Sequence, residues 1–200
     1  MRPTAAEDNP ARPPGADRLG ALVAEAASGD ESAWESIVSL YGRRIYAMAK
    51  SRLRDAESAE EITQSVFATL AERLRGGDTG YEERGQFEPW LFRITMNRVR
   101  DEGRRRQRRA ADTIPFQHAA SVPAAEPALD GEDRVGPLRE ALGRLDDRDR
   151  EVVELRHHGQ MSFNQIAELL DEPLGTVLAR HHRALKKIKK ELERVEASRS

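Results

Sequence analysis

Apolar residues recur at spacings of three and four along most of this chain, and no segment shows sustained alternation of apolar and polar residues. Spacings of three and four place apolar side chains on one face of an α-helix, whereas a half-buried strand needs a period of two. The pattern therefore predicts an all-α protein. With 200 residues and an apolar fraction of 38 %, the chain suits small helical domains better than one large core.

The first half of the chain predicts three long helices between residues 30 and 109. The second of these helices begins at a capping-box pattern, in which Ser58 caps and Glu61 follows three residues later. Three glycines between residues 76 and 80 predict a polar loop, and the third helix begins near Pro89. The predicted inner residues are Ile37, Tyr41, Ile45, Met48, Ile62, Val66, Phe67, Leu70, Leu74, Leu91, Ile94, Thr95 and Val99.

The second half predicts four more helices, the first of which begins near Pro137. Asp146 or Asp147 offers a cap for the next helix, and Gly159 is placed to close it. The inner face of the first of these helices is predicted to carry Leu138, Leu142 and Leu145.

The remaining two helices form a predicted helix-turn-helix. Ser162 and Gln165 have the spacing of a capping box ahead of a short helix at 163–170, and Pro173 suits the first turn of the helix that follows. A short helix, a turn of about four residues and a longer basic helix make this motif, which places its second helix in the DNA major groove. The predicted inner residues of the last helix, which runs to about Glu193, are Val177, Ala184, Leu185, Ile188 and Leu192.

The opposite face of the last helix is predicted to contact DNA. Arginines there could reach guanine edges or phosphates, and the lysines further along could contact phosphates. The predicted DNA-contacting residues on this face and its flanks are Thr176, Arg180, His182, Arg183, Lys186 and Lys187.

Basic residues are gathered in two segments, although the whole chain has a formal charge of −2. Residues 90–109 hold eight arginines against two acidic residues, and residues 176–194 hold seven Lys or Arg against two glutamates. Two basic patches indicate two contacts with a polyanion, the alternative being two solvated helix faces. Phe87, Trp90 and Phe92 beside the first patch favour opened DNA, whose bases stack on aromatic rings.

Composition also defines the domains, and it excludes disulfide-bonded and membrane-spanning proteins. We expect a disordered tail at 1–18, a flexible linker at 110–136 rich in proline and alanine, and a tail at 195–200, which leaves helical domains at 19–109 and 137–194. No cysteine is present, and no apolar run reaches the length of a membrane span.

No catalytic or metal-binding motif is found. The histidine pairs at 157–158 and 181–182 are adjacent in sequence, so the two side chains of each pair point about 100° apart and suit one ion poorly. We therefore expect a cytoplasmic protein that is not an enzyme, has no cofactor and does not insert into a membrane.

Three segments in this order resemble the extracytoplasmic-function sigma factors of bacterial RNA polymerase. They read "SAEEITQSVFATL", then "FEPWLFRITMNRVRD", then "LDDRDREVVELRHHGQMSFNQIAELLDEPLGTVLARHHRALKKI". The resemblance implies an alternative sigma factor with two helical domains, one binding core polymerase and the −10 promoter element and the other binding the −35 element. It also implies that a separate anti-sigma factor is a candidate partner.

The resemblance assigns roles to particular residues. It implies that Gln64 and Phe67 contact core polymerase, that the loop at 76–87 captures a flipped base, and that the helix after it meets melted DNA. Under this reading the aromatic residues of the first basic patch contact opened DNA and its arginines contact the backbone. The residues implied at the −10 region are Trp90, Arg93, Asn97, Arg98, Arg104 and Arg105.

The chain departs from the family at the start of its last helix. The family reads G-T-V-K-S-R-L there, whereas this chain has Leu178, Ala179 and His181 in place of Lys, Ser and Leu. The change removes polar contacts near the base edges, and it puts a histidine at a core position. Two rival interpretations are a free-standing helix-turn-helix regulator of duplex DNA, which leaves 58–109 unexplained, and a protein-interaction module.

Overall fold

The computed structural model describes residues 16–76, 86–112 and 132–199. Within these ranges the chain forms eight α-helices and no strand, which confirms the all-α prediction. The helices are α1 (Ala16–Ala27), α2 (Glu31–Leu53), α3 (Ala56–Arg75), α4 (Phe87–Asp112), α5 (Glu132–Gly143), α6 (Asp147–His157), α7 (Phe163–Leu170) and α8 (Leu174–Arg199).

The described residues divide into two compact units. The first contains the residues up to Val99 together with 158–160, and the second contains 100–157 and the residues from Met161 onward. The division lies inside α4, whereas the sequence predicts a boundary after residue 109.

The first unit is built on the predicted apolar stripes of α2, α3 and α4. All four inner residues predicted for α2 are buried, and Asp30 caps that helix by accepting a hydrogen bond of 2.9 Å from the amide of Ala33. The sequence did not single out α1, although Leu19, Val23 and Ala26 recur at helical spacing and are buried. This helix packs on α2 and α3 and so extends the core.

Two local predictions in the first unit are wrong. The cap of α3 is Asp55, whose carboxylate accepts from the amide of Ser58 at 2.9 Å, so Ser58 lies inside the helix. Asp55 caps because its extended backbone aims the side chain at the open end of the helix. Ile94 and Phe67 are only partly buried, since each lies at the edge of its helix's apolar face.

The second unit packs α5, α6 and α7 against α8. Asp146 caps α6 by accepting from the amide of Asp149 at 2.9 Å, as predicted. Gly159 follows the end of α6, but the residue with positive φ in that turn is Gln160, at 49°. The packed apolar cluster of this unit is Ala141, Leu142, Leu145, Val153, Ala184, Ile188 and Leu192.

The helix-turn-helix is present as predicted. The hydroxyl of Ser162 accepts from the amide of Gln165 at 3.2 Å, and the Gln165 side chain accepts from the amide of Ser162 at 2.8 Å. Asp171 ends α7 in a left-handed conformation with φ 53°, and Pro173 directly precedes α8. The turn is therefore three residues long, 171–173.

Several predicted ends and inner positions need correction. The helix α8 continues to Arg199, through most of the tail predicted at 195–200, and α5 begins at Glu132, inside the predicted linker. Leu138 and Leu185 are exposed. Leu185 lies beside the packed stripe of α8, whereas Leu138 is in line with the stripe of α5 but one turn before its first packed residue, Ala141. Residues 16–18 of the predicted tail belong to α1, and 110–112 of the predicted linker belong to α4.

Residues 1–15, 77–85, 113–131 and 200 lie outside the described part of the chain, so the tail, the flipped-base loop and the linker are not tested there.

Candidate nucleic-acid interfaces

The helix α4 has one buried face and one basic face. Its buried residues after the first turn are Leu91, Phe92, Thr95, Met96 and Val99. A step of 100° per residue places the opposite face on Trp90, Arg93, Asn97, Arg104 and Arg105, with Arg98 at its margin. Trp90 is partly buried and the others are exposed. The fold therefore brings all six predicted −10 residues to one side of a single helix.

Two of the three aromatic residues at the start of α4 are core residues. Phe87 and Phe92 are 1 % and 0 % exposed, so the expectation that they contact opened DNA is wrong. The ring of Phe87 packs edge-on against Tyr41 with centroids 5.5 Å apart, and Phe87 also lies 6.1 Å from Trp90. The two rings are buried because the inward face of α4 needs large side chains to fill the contact with α2. Trp90 is the aromatic residue of this group that reaches the basic face.

A buried ion pair lies beneath these aromatic rings. The guanidinium of Arg44 on α2 donates to the carboxylate of Glu88 on α4 at 2.9 Å, and both residues are buried. The Arg44 guanidinium also lies 4.7 Å from the ring centre of Tyr41 and 5.0 Å from that of Phe92. The pair fixes the start of α4 against α2, and with it the position of Trp90.

Sequence analysis missed this pair, although a signal was present. Arg44 is three residues after Tyr41 and four before Met48, and it therefore lies on the apolar stripe of α2. A charged residue on such a stripe indicates a buried partner.

The arginines of α4 also have partners within the protein. Arg98 donates to the hydroxyl of Thr69 on α3 at 2.9 Å. Arg104 lies 3.9 Å from Asp101, and Arg105 lies 3.3 Å from Glu102, which is one helical turn away. Exposed pairs of this kind contribute little to stability and exchange readily for phosphate.

The residues predicted to contact polymerase lie on α3. Gln64 is exposed, and Phe67 is partly buried. A methyl group on Gly42 would lie 3.8 Å from Cε2 of Phe67, so this ring covers α2 with one edge and leaves the other in solvent. The two side chains provide a mixed polar and aromatic surface suited to a protein partner.

The predicted −35 surface is partly occupied by ion pairs inside the second unit. Asp149, at the start of α6, is fully buried and accepts two hydrogen bonds from Arg183, at 2.9 and 2.7 Å. The ammonium of Lys187 lies 3.3 Å from Asp149 and 3.3 Å from Asp146. Arg180 makes two hydrogen bonds to Glu172, at 2.9 and 3.3 Å.

These pairs change the roles that can be given to the basic residues of α8. The hydrogen bonds from Arg183 lower the pKa of the Asp149 carboxyl to about 2, although burial opposes the shift. Asp149 is thus a charged anchor that holds Arg183 and Lys187 against α6. Asp149 lies three residues before Val152, on the buried side of α6. A carboxylate at such a position indicates a buried cationic partner.

The remaining predicted residues present a different surface. His182 and Lys186 are exposed and Thr176 is partly exposed. Leu178 and Ala179 are exposed beside them, where the family pattern has Lys and Ser. The outer face of α8 therefore combines apolar groups near its start with lysines further along.

His181 contacts a histidine from another helix. Its Nε2 lies 3.3 Å from Nε2 of His157, and its ring packs edge-on against Phe163 with centroids 5.0 Å apart. Burial lowers the pKa of His181 below its ordinary 6.5, and the positive charges of His157, Arg156 and His182 lower it further. His181 is therefore a partly buried residue that favours the neutral form.

The described helices supply no other obvious site. Among the residues that the structure describes, no group of three or more His, Cys, Asp or Glu could hold a metal ion. None of the described helices is long and apolar enough to cross a membrane.

Comparison with known proteins agrees with this architecture. Residues 37–109 match the family model for sigma-70 region 2, and residues 141–190 match the model for sigma-70 region 4. The chain is 30 % identical over 173 residues to the RNA polymerase sigma factor NccH of Alcaligenes xylosoxydans xylosoxydans, covering 84 % of this chain and 91 % of that one. The chain belongs to the extracytoplasmic-function sigma factors.

Other relatives support the assignment to this family. The ECF RNA polymerase sigma factor SigE of Mycolicibacterium smegmatis is 31 % identical over 170 residues, which are 82 % of this chain and 64 % of that relative. The ECF RNA polymerase sigma factor SigW of Bacillus subtilis is 26 % identical over 85 % of this chain and 94 % of its own. The solved structure of CnrH in complex with the cytosolic domain of CnrY is 27 % identical with a TM-score of 0.63, covering 89 % and 97 % of the two chains.

Proposed function

We propose that this alternative sigma factor binds core RNA polymerase through the exposed side of α3 and directs it to promoters with a −10 and a −35 element. The observation that carries the proposal is the pair of basic helix faces, one on α4 and one on α8. Each lies opposite a buried apolar stripe, and each falls within one of the two matched sigma regions.

The −10 function rests on the exposed side of α4. Trp90 is held at the surface edge of the core by Phe87, while the arginines of the same face are exposed. A partly exposed indole beside arginines suits a strand whose bases are unstacked and whose phosphates remain charged. Trp90, Arg93, Asn97, Arg98, Arg104 and Arg105 are the residues proposed to act there.

The polymerase contact rests on Gln64 and Phe67. Both lie on the side of α3 that leaves Val66 and Leu70 in the core, so changing them does not remove a fully buried side chain. A further protein partner is proposed, since CnrH is solved with the cytosolic domain of CnrY, and the family resemblance implies that this partner is a separate anti-sigma factor. The protein is proposed to act in the cytoplasm, as a transcription factor without catalytic activity.

The proposal is tested by reconstituted transcription. Core RNA polymerase is mixed with the purified chain and with genomic DNA fragments, and the transcripts are mapped at their 5′ ends. The proposal expects starts that depend on the added chain and share two upstream elements. Random starts, or starts that do not require the chain, would contradict it.

A matched pair of variants tests the polymerase contact. The double variant Gln64→Ala/Phe67→Ala should bind core polymerase more weakly than the wild type. The control is Glu72→Ala, on the last turn of α3, which should bind like the wild type. Equal binding by all three proteins would remove α3 from the proposed interface.

A further inference from the structure

We propose that Leu178 and Ala179 read the −35 element through the 5-methyl groups of thymines in the major groove. This inference rests on the proposed −35 function of α8, and it specifies the chemistry of that contact. It predicts an element in which thymine, rather than guanine, is required opposite the start of α8.

The first argument is the exposure of Leu178. Its exposed fraction is 43 %, in a helix whose buried residues Val177 and Ala184 are 0 % exposed. At 100° per residue, Leu178 and Ala179 lie about 100° and 160° from Val177, on the side away from the core. An exposed leucine on the first turns of a helix-turn-helix recognition helix lies where base edges are contacted.

The second argument is that the nearby arginines have other partners. Arg180 forms two hydrogen bonds to Glu172, and Arg183 forms two to the buried Asp149. Recognition of guanine by arginine needs the same two-pronged donor arrangement. Each pair uses the Nε and Nη2 atoms of its arginine and turns the guanidinium towards that carboxylate, so a guanine could be contacted only through the remaining hydrogens on Nη1 and Nη2.

The third argument is the chemistry that remains on this face. Leu178 and Ala179 have no hydrogen-bonding side-chain atoms, so the favourable base contact is with an apolar group. The thymine methyl is the apolar group that the major groove presents. Lys186 and Lys190 are exposed further along the helix and supply the positive charge that holds the helix on the phosphates.

A selection experiment identifies the element. Holoenzyme made from core polymerase and the full chain is incubated with duplex DNA whose upstream segment is randomised, and the retained molecules are sequenced. Each enriched thymine is then replaced by uracil, which lacks only the 5-methyl group. The proposal expects a loss of about fourfold in binding for each contacted thymine, the value of burying one methyl-sized group.

Matched variants assign the effect to Leu178. In Leu178→Lys, uracil should no longer weaken binding at the thymine that this side chain contacts. Leu185→Lys removes a leucine with 42 % exposure from two turns further along α8, and should keep the full uracil effect. Circular dichroism of both variants checks that the helices are retained, as expected for changes at exposed positions.

The outcomes distinguish a failure of the thymine-methyl contact from a failure of the proposed sigma-factor function. Failure to form holoenzyme, or to retain any specific sequence, overturns the proposed function. Specific retention with no uracil effect, or an equal loss of that effect in Leu178→Lys and Leu185→Lys, overturns the methyl readout alone. Enrichment of guanine opposite the start of α8 also overturns it, because arginine would then be the reader.

Discussion

Asp149 and Arg183 form a two-hydrogen-bond ion pair that joins the start of α6 to the outer side of α8, with distances of 2.9 and 2.7 Å. The carboxylate is fully buried while the arginine side chain is 51 % exposed. The pair therefore helps to fix the position of α8 relative to α6. In the proposed −35 function, Arg183 would act through this position as well as through its charge.

Replacing Asp149 by Asn should destabilise the second unit. The variant loses charge-assisted hydrogen bonds from Arg183 and a close contact with Lys187, and we expect a loss of about 1–2 kcal/mol in the free energy of unfolding, since solvent screens the exposed arginine. Urea denaturation followed by circular dichroism measures it. Asp147→Asn, at an exposed position on the same turn, is the control and should change stability much less.

The same carboxyl predicts an acid-dependent loss of stability. Its pKa is about 2 in the folded protein against 3.8 for the free group. A depressed carboxyl pKa stabilises the fold fully above pH 3.8, and this contribution is lost as the pH falls from 3.8 towards 2. Wild type and Asp149→Asn should therefore converge in stability across this range. Parallel stability curves down to pH 2 would exclude the pair as the cause.

The contact between His157 and His181 predicts a second pH effect, in a higher range. The pKa of His181 is lowered in the folded protein, so the unfolded chain binds the proton more readily. Stability should fall as the pH drops below 6.5. His181→Leu, which restores the residue of the family pattern, should reduce the difference in Tm between pH 7.5 and pH 5.5. If this difference in Tm is unchanged in His181→Leu, groups other than His181 cause the loss of stability at low pH.

Lys186→Ala should weaken binding to all promoter sequences by a similar factor. Lys186 is exposed on the outer face of α8, and a lysine–phosphate contact carries no base information. The slope of log affinity against log salt should fall by about 1. Filter binding of holoenzyme at several salt concentrations measures this slope. A variant that changes which bases are selected, with an unchanged slope, would place Lys186 on a base.

Trp90→Ala should impair promoter opening more than polymerase binding. Trp90 is the aromatic residue of its group that reaches the basic face of α4, whereas Phe92 is buried. Permanganate reactivity of thymines measures opening, and gel filtration measures binding. Phe92→Ala serves as a contrast, since loss of a buried ring should cost about 3–5 kcal/mol of stability and impair both. Normal opening by a folded Trp90→Ala protein would contradict the role.

Helix positions and much of the core follow from periodicity, because burial of apolar side chains selects one face of each helix. Ile37, Tyr41, Ile45 and Met48 are all buried as their spacing predicts. The capping box at Ser162 was also predictable, since it depends on residues three apart. Local signals of this kind need no knowledge of the tertiary structure.

Contacts between distant residues could not be predicted in the same way. Phe87 and Phe92 have the residue type of a DNA-stacking group, and only the packing of α4 on α2 shows that they are buried. The Arg183–Asp149 pair joins residues 34 apart, and a helical wheel of α8 alone treats Arg183 as free. The histidine pairs show the same limit, because the fold joins His157 to His181 rather than either to its sequence neighbour.

The measurement that tests the account most directly is binding to core RNA polymerase. The purified chain is mixed with core polymerase and passed over a gel-filtration column, with and without an excess of the housekeeping sigma factor. The account predicts that the chain elutes with polymerase and is displaced by the competitor. A folded chain that elutes alone, and that binds duplex promoter DNA without polymerase, would contradict it.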